Sequence, residues 1–322
     1  MGRLLSSLLG FLLTAFVNNA AGASILTLTP EQYWKSALPN TPMPSSLSRL
    51  LCTSSVICGH GKHGGTTVGE KSHVFFSVYT TVEGHLHLPD DPSAALFFLE
   101  KDLHMHAGRK KLMKLHFMAT PGAGDKFLPR SEADAIPFSS DKVPEILGHF
   151  SLKQDSQEAA QMAQTLRHCE APAAEGEHKW CPTSLESMID IATSSLGTSH
   201  VRAMSTVVGK EGTPRQDYTL TDVKCTGADR LLVCHAEPYA YAVFACHLPQ
   251  ATRAYTLSMV GEDGTAVEAV AVCHADTAAW NPRHIAFQVL KVKPGTVPVC
   301  HLVPQDHVVW TSGREFASYS DV

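Results

Sequence analysis

The 322-residue sequence is poor in charge: Asp, Glu, Lys and Arg make up 18% of it, and the net charge is −5. No basic run tracks along the chain, so the electrostatic footprint of a nucleic-acid binder is missing. No apolar stretch reaches the ~18 residues of a membrane-spanning helix, so neither nucleic acid nor a membrane is expected as a partner. Asn40 is followed by Thr41 and Pro42, and no Asn-x-Ser/Thr sequon exists anywhere, which removes N-glycosylation. A Gly-x-Ser-x-Gly nucleophile elbow is also absent, and hydrolysis through a serine triad loses its support. So are the closely spaced cysteine pairs of a zinc finger. What remains is a chain that is 44% hydrophobic, as a folded globular protein should be and a disordered one should not.

The N-terminus carries the first positive signal. Arg3 precedes an apolar stretch from Leu4 to Val17, and Ala21-Gly22-Ala23 follows as a small-residue exit. This is the pattern of a secretory signal peptide over 1–23, with cleavage after Ala23 and a soluble product; a buried N-terminal helix is the alternative. Secretion changes how the nine cysteines are read, because most should pair in an oxidising compartment. Nine is odd, so at least one thiol is free, bridged to another chain or metal-bound.

From Leu28 to Leu51 the prolines Pro30, Pro39, Pro42 and Pro44 suggest an extended arm. Cys52–Gly69 reads either as a loop closed by Cys52 and Cys58 or as disordered chain, and His73–Val82 as a strand. The compact part is expected to begin near Ala94. Leu112–Met118 alternates as a strand, with Leu112, Lys114 and His116 on one face and Met113, Leu115 and Phe117 on the other. Ser156 caps a helix running to Cys169, and a second helix spans Ser184–Ser194 on the stripe Leu185, Met188, Ile189 and Ala192. Beyond residue 200 the pattern is strand, broken by Gly and Pro. The fold class expected is α+β, a helical middle segment packed on a mainly antiparallel C-terminal sheet. Cys169 and Cys181 should form a disulfide across the stretch between the two helices. Phe97, Phe98, Trp280 and Trp310 should be core residues.

The strongest signal is the set Cys234-His235, Cys246-His247, Cys273-His274 and Cys300-His301, separated by gaps of ten, twenty-five and twenty-five residues. Each dipeptide lies in or beside a β-prone apolar run. Successive side chains of a strand point to opposite faces, so the Cys and His of one dipeptide do not easily bind the same ion. The cysteines would then turn to the core as disulfides while the histidines face a common site. Clustered imidazole without thiolate suits copper, nickel or zinc. His284 and His307 lie nearby and could complete one or two sites. The alternative is that four ordinary disulfide cysteines have incidental histidine neighbours. His85, His87, His104 and His106 belong to polar, loop-like sequence and read as solvated.

At these residues the chain resembles the BURP-domain family of plants, whose defining C-terminal pattern is a spaced set of Cys-His dipeptides. The likeness covers residues 94–322, leaving 24–93 as a variable N-terminal segment. It includes Phe97-Phe98, Leu128-Pro129-Arg130, Ile136-Pro137-Phe138, Cys169-Glu170, Cys181 before Thr183-Ser184-Leu185-Glu186, Trp280-Asn281-Pro282, Pro294-Gly295 and Trp310. Tyr33-Trp34 and Leu38-Pro39 resemble the family's opening motif. The resemblance implies a secreted protein of the apoplast, cell wall or storage vacuole, with a structural or developmental role in seed, pollen, wall or stress biology. It implies copper as cofactor, held by histidines that the disulfides of Cys234, Cys246, Cys273 and Cys300 position, and a wall polysaccharide or wall protein as partner. Some members are copper-dependent peptide cyclases that crosslink Trp or Tyr of their own chain. Between Trp34 and residue 94 this chain offers one such residue, Tyr79, in an unrepeated setting. Cys52, Cys58 and Cys225 lie outside the family's six.

Overall fold

Antiparallel pairing organises the molecule. The computed structural model describes residues 28–51, 97–103, 112–117, 123–124, 126–173, 176–210, 212–226 and 230–313. The signal-peptide stretch, Cys52, Cys58, the 73–82 strand, Tyr79, His85, His87, His104 and His106 lie outside these residues.

The 28–51 stretch is not an extended arm. It holds two helices, α1 (Pro30–Ala37) and α2 (Ser45–Arg49). Thr29 and Gln32 close a capping box at the start of α1. Pro30 stands at its first turn, where no helical N–H bond is lost. The prolines therefore start helices instead of preventing them. Trp34 is buried with its ring centroid 5.5 Å from that of Trp310, and its Nε1–H donates to the Thr41 carbonyl at 2.9 Å. Leu38 and Leu47 are buried with it, so the packed unit takes in this segment as well as the region after residue 94.

The middle of the chain is helical. Its elements are α3 (Arg130–Ala133), α4 (Val143–His149), α5 (Gln157–Glu170) and α6 (Leu185–Leu196). Ser156 and Ser184 cap α5 and α6 through their hydroxyls, and α6 stops at Gly197, whose φ of 69° suits glycine. The apolar stripe of α6, Leu185, Met188, Ile189 and Ala192, is fully buried.

The strands are β1 (Phe97–Leu99), β2 (Leu112–Leu115), β3 (His178–Trp180), β4 (Val201–Met204), β5 (Val207–Val208) and β6 (Gln216–Cys225). After them come β7 (Leu231–Glu237), β8 (Val243–Leu248), β9 (Thr252–Gly261), β10 (Ala266–His274), β11 (Val299–Val303) and β12 (Val308–Ser312). They form two sheets, not one. The first has the order β1-β11-β10-β9-β6-β2 with β5 also on β10; the second runs β3-β8-β7-β12-β4. On β2, Met113 and Leu115 are buried while Lys114 is exposed, as alternation requires. Helix α6 and α1 cover the outer face of the second sheet around Trp34, Phe244 and Trp310. Between the sheets lies an apolar layer of Leu231, Val233, Ala254, Val270, Val272, Val303 and Val309. The α+β class holds, with the C-terminal half a pair of facing sheets.

Three disulfides are present among the described residues: Cys169–Cys181, Cys234–Cys246 and Cys273–Cys300. The first has its Cα atoms 5.9 Å apart and ties the end of α5 to the end of β3. Cys225, half-buried on β6, is a free thiol.

Candidate metal centre

The site follows from the register of two strand pairs. On β7 and β8, Cys234 lies directly opposite Cys246; on β10 and β11, Cys273 lies directly opposite Cys300. Each cysteine pair joins on the face turned away from the other sheet, into separate apolar cores. The residue after each cysteine points to the opposite face, and antiparallel running makes the two histidines of a pair diagonal neighbours. His235 is opposite Ala245 and His247 opposite Val233; His274 is opposite Val299 and His301 opposite Val272. The two sheets thus build the same unit twice, a disulfide behind and two imidazoles in front.

Within the units, His235 Nε2 stands 3.2 Å from His247 Nε2, and His274 Nε2 stands 3.4 Å from His301 Nε2. All four imidazoles line one cavity of 560 Å³. His307, almost wholly buried, lies behind the first pair with its Nδ1 2.9 Å from His235 Nδ1. His284 is at the cavity rim, half-buried, and caps α7 (Ile285–Leu290) by accepting the Ala286 N–H on Nδ1 at 3.2 Å.

Groups outside the imidazoles set their orientation. A carboxylate accepts only, so His247 donates Nδ1–H to Glu177 Oε2 at 3.0 Å; His301 donates Nδ1–H to the Leu302 carbonyl at 3.2 Å. In its neutral form each ring then presents an Nε2 lone pair. Such outer partners fix tautomer and orientation in histidine metal sites. Burial holds His235 and His274 well below the ordinary imidazole pKa, lowers His301 to about 4, and lowers His307. Neighbouring imidazoles add to the effect on His235 and His274. These rings are neutral at neutral pH, the form in which imidazole binds a metal.

The sequence did not point to the rest of the lining. His168 Nδ1 is 3.2 Å from the buried carboxylate of Glu237, and Lys179 donates to the His168 carbonyl. Burial raises the pKa of Glu237 and lowers that of Lys179. Glu177 and Lys179 came from a stretch with no periodic signal, and only the fold brings them in. Trp280 needs a correction. Phe97, Phe98 and Trp310 are core residues as expected, but Trp280 is half-buried and lines the cavity, its ring centroid 4.8 Å from both His274 and His284.

Relatives carry the same domain. The sequence matches the BURP domain over residues 96–312. The chain belongs to the BURP domain family. It is 50% identical to BURP domain-containing protein 3 of Oryza sativa subsp. japonica, over 97% of this chain and 99% of that one. It is 40% identical to BURP domain protein RD22 of Arabidopsis thaliana, over 88% of this chain and 94% of the relative. Protein RAFTIN 1B of Triticum aestivum is 33% identical, over 96% and 98%. All three are plant proteins, and the BURP domain contains every imidazole described above.

Among the described residues, no three His, Cys, Asp or Glu side chains stand together in a group able to hold an ion. Each pair offers two nitrogens. Two nitrogens bound at about 2.0–2.1 Å to one tetrahedral ion lie roughly 3.3 Å apart, and the observed 3.2 and 3.4 Å agree with that. Without an ion, the same separation is spanned by one N–H···N bond. The donor set, imidazole with no free thiolate beside it, is of the kind that suits copper, nickel or zinc.

Proposed function

We propose that this BURP domain protein is a secreted copper-binding protein with a structural or developmental role in plant tissue, its copper held by His235, His247, His274 and His301. The observation that carries the reading is the duplicated unit of disulfide and facing imidazole pair, with Nε2 atoms at 3.2 and 3.4 Å on one cavity. Three disulfides support secretion, because such bonds persist in oxidising compartments. His307 backs His235, and Glu177 backs His247. Copper bound here would supply electron transfer and dioxygen chemistry; the protein would hold and orient the imidazoles, His247 through Glu177 and His301 through the Leu302 carbonyl.

The test replaces His235, His247, His274 and His301 together with Ala and measures copper per chain and affinity. Loss of copper with retained thermal unfolding is expected. Copper bound as tightly as by the parent would end the assignment.

A second reading, copper- and oxygen-dependent crosslinking of the chain's own Trp or Tyr, draws on the cavity, whose 560 Å³ leaves room beside the imidazoles. Intact mass after incubation with copper and oxygen separates the two. A loss of two hydrogens, about 2 Da, localised before residue 97 means an enzyme. An unchanged mass leaves a binding protein.

A further inference from the structure

We infer that Lys179 and Gln250 are positioning residues of the cavity: together they hold the stretch 176–179 so that the Glu177 carboxylate meets the Nδ1–H of His247. The inference deepens the metal-site reading and rests on it only for what His247 then binds. Glu177 needs such support. It stands just before β3, and the β3–β8 ladder ends at His178 opposite Leu248. The residue after Leu248 is Pro249, which has no N–H to extend the ladder. Yet Glu177 Oε2 lies 3.0 Å from His247 Nδ1 and fixes that ring. Contacts other than strand pairing must set the backbone at this point.

Two side chains supply them, one on each side of Glu177. Before it, Gln250 donates Nε2–H to the Gly176 carbonyl. The approach is so close that a Cβ at position 176 would stand 2.8 Å from Gln250 Nε2, and the φ of 78° there favours glycine as well. After it, Lys179 donates Nζ–H to the His168 carbonyl in the last turn of α5. The α-helical partner of that carbonyl would be the N–H of residue 172, which is a proline. A lysine ammonium at a helix C-terminus satisfies an end carbonyl and faces the negative end of the helix dipole. The Glu237 carboxylate on β7 attracts the same ammonium. Lys179 is also the register partner of His247, so β3 is fastened to α5 beside the ring that Glu177 orients. The Cys169–Cys181 bridge holds the far end of β3, whereas Lys179 and Gln250 act nearer Glu177.

The experiment uses the full chain, metal-free and labelled with ¹⁵N at histidine, at about pH 8, where an imidazole of ordinary pKa is neutral. In the parent, long-range ¹H–¹⁵N spectra should show His247 with its proton on Nδ1; a proton on Nε2 overturns the inference. Lys179→Met and Gln250→Met keep the length of each side chain and lose its donor. Each should populate the Nε2–H tautomer of His247 and weaken copper binding by roughly threefold to tenfold, below the roughly 10–100-fold typical of removing a ligand's direct partner. Lys179→Arg keeps a donor and should restore both readouts. His301, whose Nδ1–H goes to the Leu302 carbonyl, is the internal control and should keep its tautomer in every variant. An unchanged His247 tautomer in either Met variant strikes that residue from the role, and in both it overturns the inference. An equal change at His301 marks general loosening and overturns it too. A shifted His247 tautomer with parental copper affinity upholds the positioning role and removes His247 as a ligand.

Discussion

At the scale of single residues, the direction of each hydrogen bond matters more than its length. Glu177 is the clearest case, because its contact with His247 forces one tautomer. Glu177→Ala should weaken copper binding about 10–100-fold, the usual loss when an outer partner of a ligand is removed. Glu177→Gln keeps an acceptor at that point and should recover most of it. Calorimetric titration with copper checks both; an unaffected Ala variant would remove Glu177 from the site. The buried imidazoles also set a pH dependence for the metal-free protein. Unfolded, each binds a proton near pH ~6.5. Folded, His301 resists until about pH 4, and His235, His274 and His307 are lowered in the same direction. Between those values the unfolded chain holds more protons, so stability is full above pH ~6.5 and is lost as pH falls, by up to about 1.4 kcal/mol per unit for His301, with His235, His274 and His307 acting in the same direction. Urea midpoints should drop clearly from pH 7 to pH 5 in the parent, and less in the four-histidine Ala variant. Equal drops would place the effect elsewhere.

At the scale of elements, the Cys169–Cys181 bridge ties α5 to β3, and β3 pairs Lys179 with His247 and Trp180 with Cys246. Its loop spans a sequence separation of 12, so replacing both cysteines with Ser should cost on the order of 3 kcal/mol in the chain-entropy model. Copper affinity should fall as well, because Glu177 immediately precedes β3. A double Ser variant with parental melting and parental copper affinity would contradict this. What the sequence made legible here follows local rules. The caps Ser156 and Ser184, the stripe of α6 and the alternation of β2 need only neighbours along the chain, and all were readable. Alternation also told which face each imidazole takes. The pairing of Cys234 with Cys246 and of Cys273 with Cys300 was not readable, because it depends on strand register. Pro30 and Pro44 misled, since proline at a helix start and proline in an extended arm look alike without the partner that Trp34 finds. His168 from α5, Glu177 from just before β3 and Lys179 from β3 reach the cavity, and no spacing announces them.

At the scale of the whole molecule, the boundary of the BURP domain match at residue 96 and the boundary of the packed unit do not coincide. Residues 28–51 fill a place that no described residue after 96 occupies. Trp34, Leu38 and Leu47 are 3%, 1% and 0% exposed, and they cover the sheet face on which Trp310, Phe244 and the Cys234–Cys246 bridge lie. Polar contacts fasten the same segment. Tyr33 donates to Asp190 at 2.5 Å, Arg130 pairs with Asp190 at 2.6 Å and stacks on the Tyr33 ring, and Phe127 N–H donates to the Leu50 carbonyl at 2.9 Å. Burying three large apolar side chains contributes roughly 5–9 kcal/mol at about 1.5–3 kcal/mol each. A domain's whole stability is about 5–15 kcal/mol. A fragment of residues 96–312 should therefore be unfolded or aggregate through the exposed face of α6 and β12. One beginning at residue 28 should unfold cooperatively, with dispersed amide resonances. Trp34→Ala in the longer fragment should fall between the two, losing about 3–5 kcal/mol. Cooperative unfolding of 96–312 at the midpoint of the longer fragment would show that the N-terminal helices are an attachment. The opposite result makes them a structural part of the scaffold of the histidine cavity, because β7 and β8, which carry His235 and His247, form the floor on which Trp34 rests.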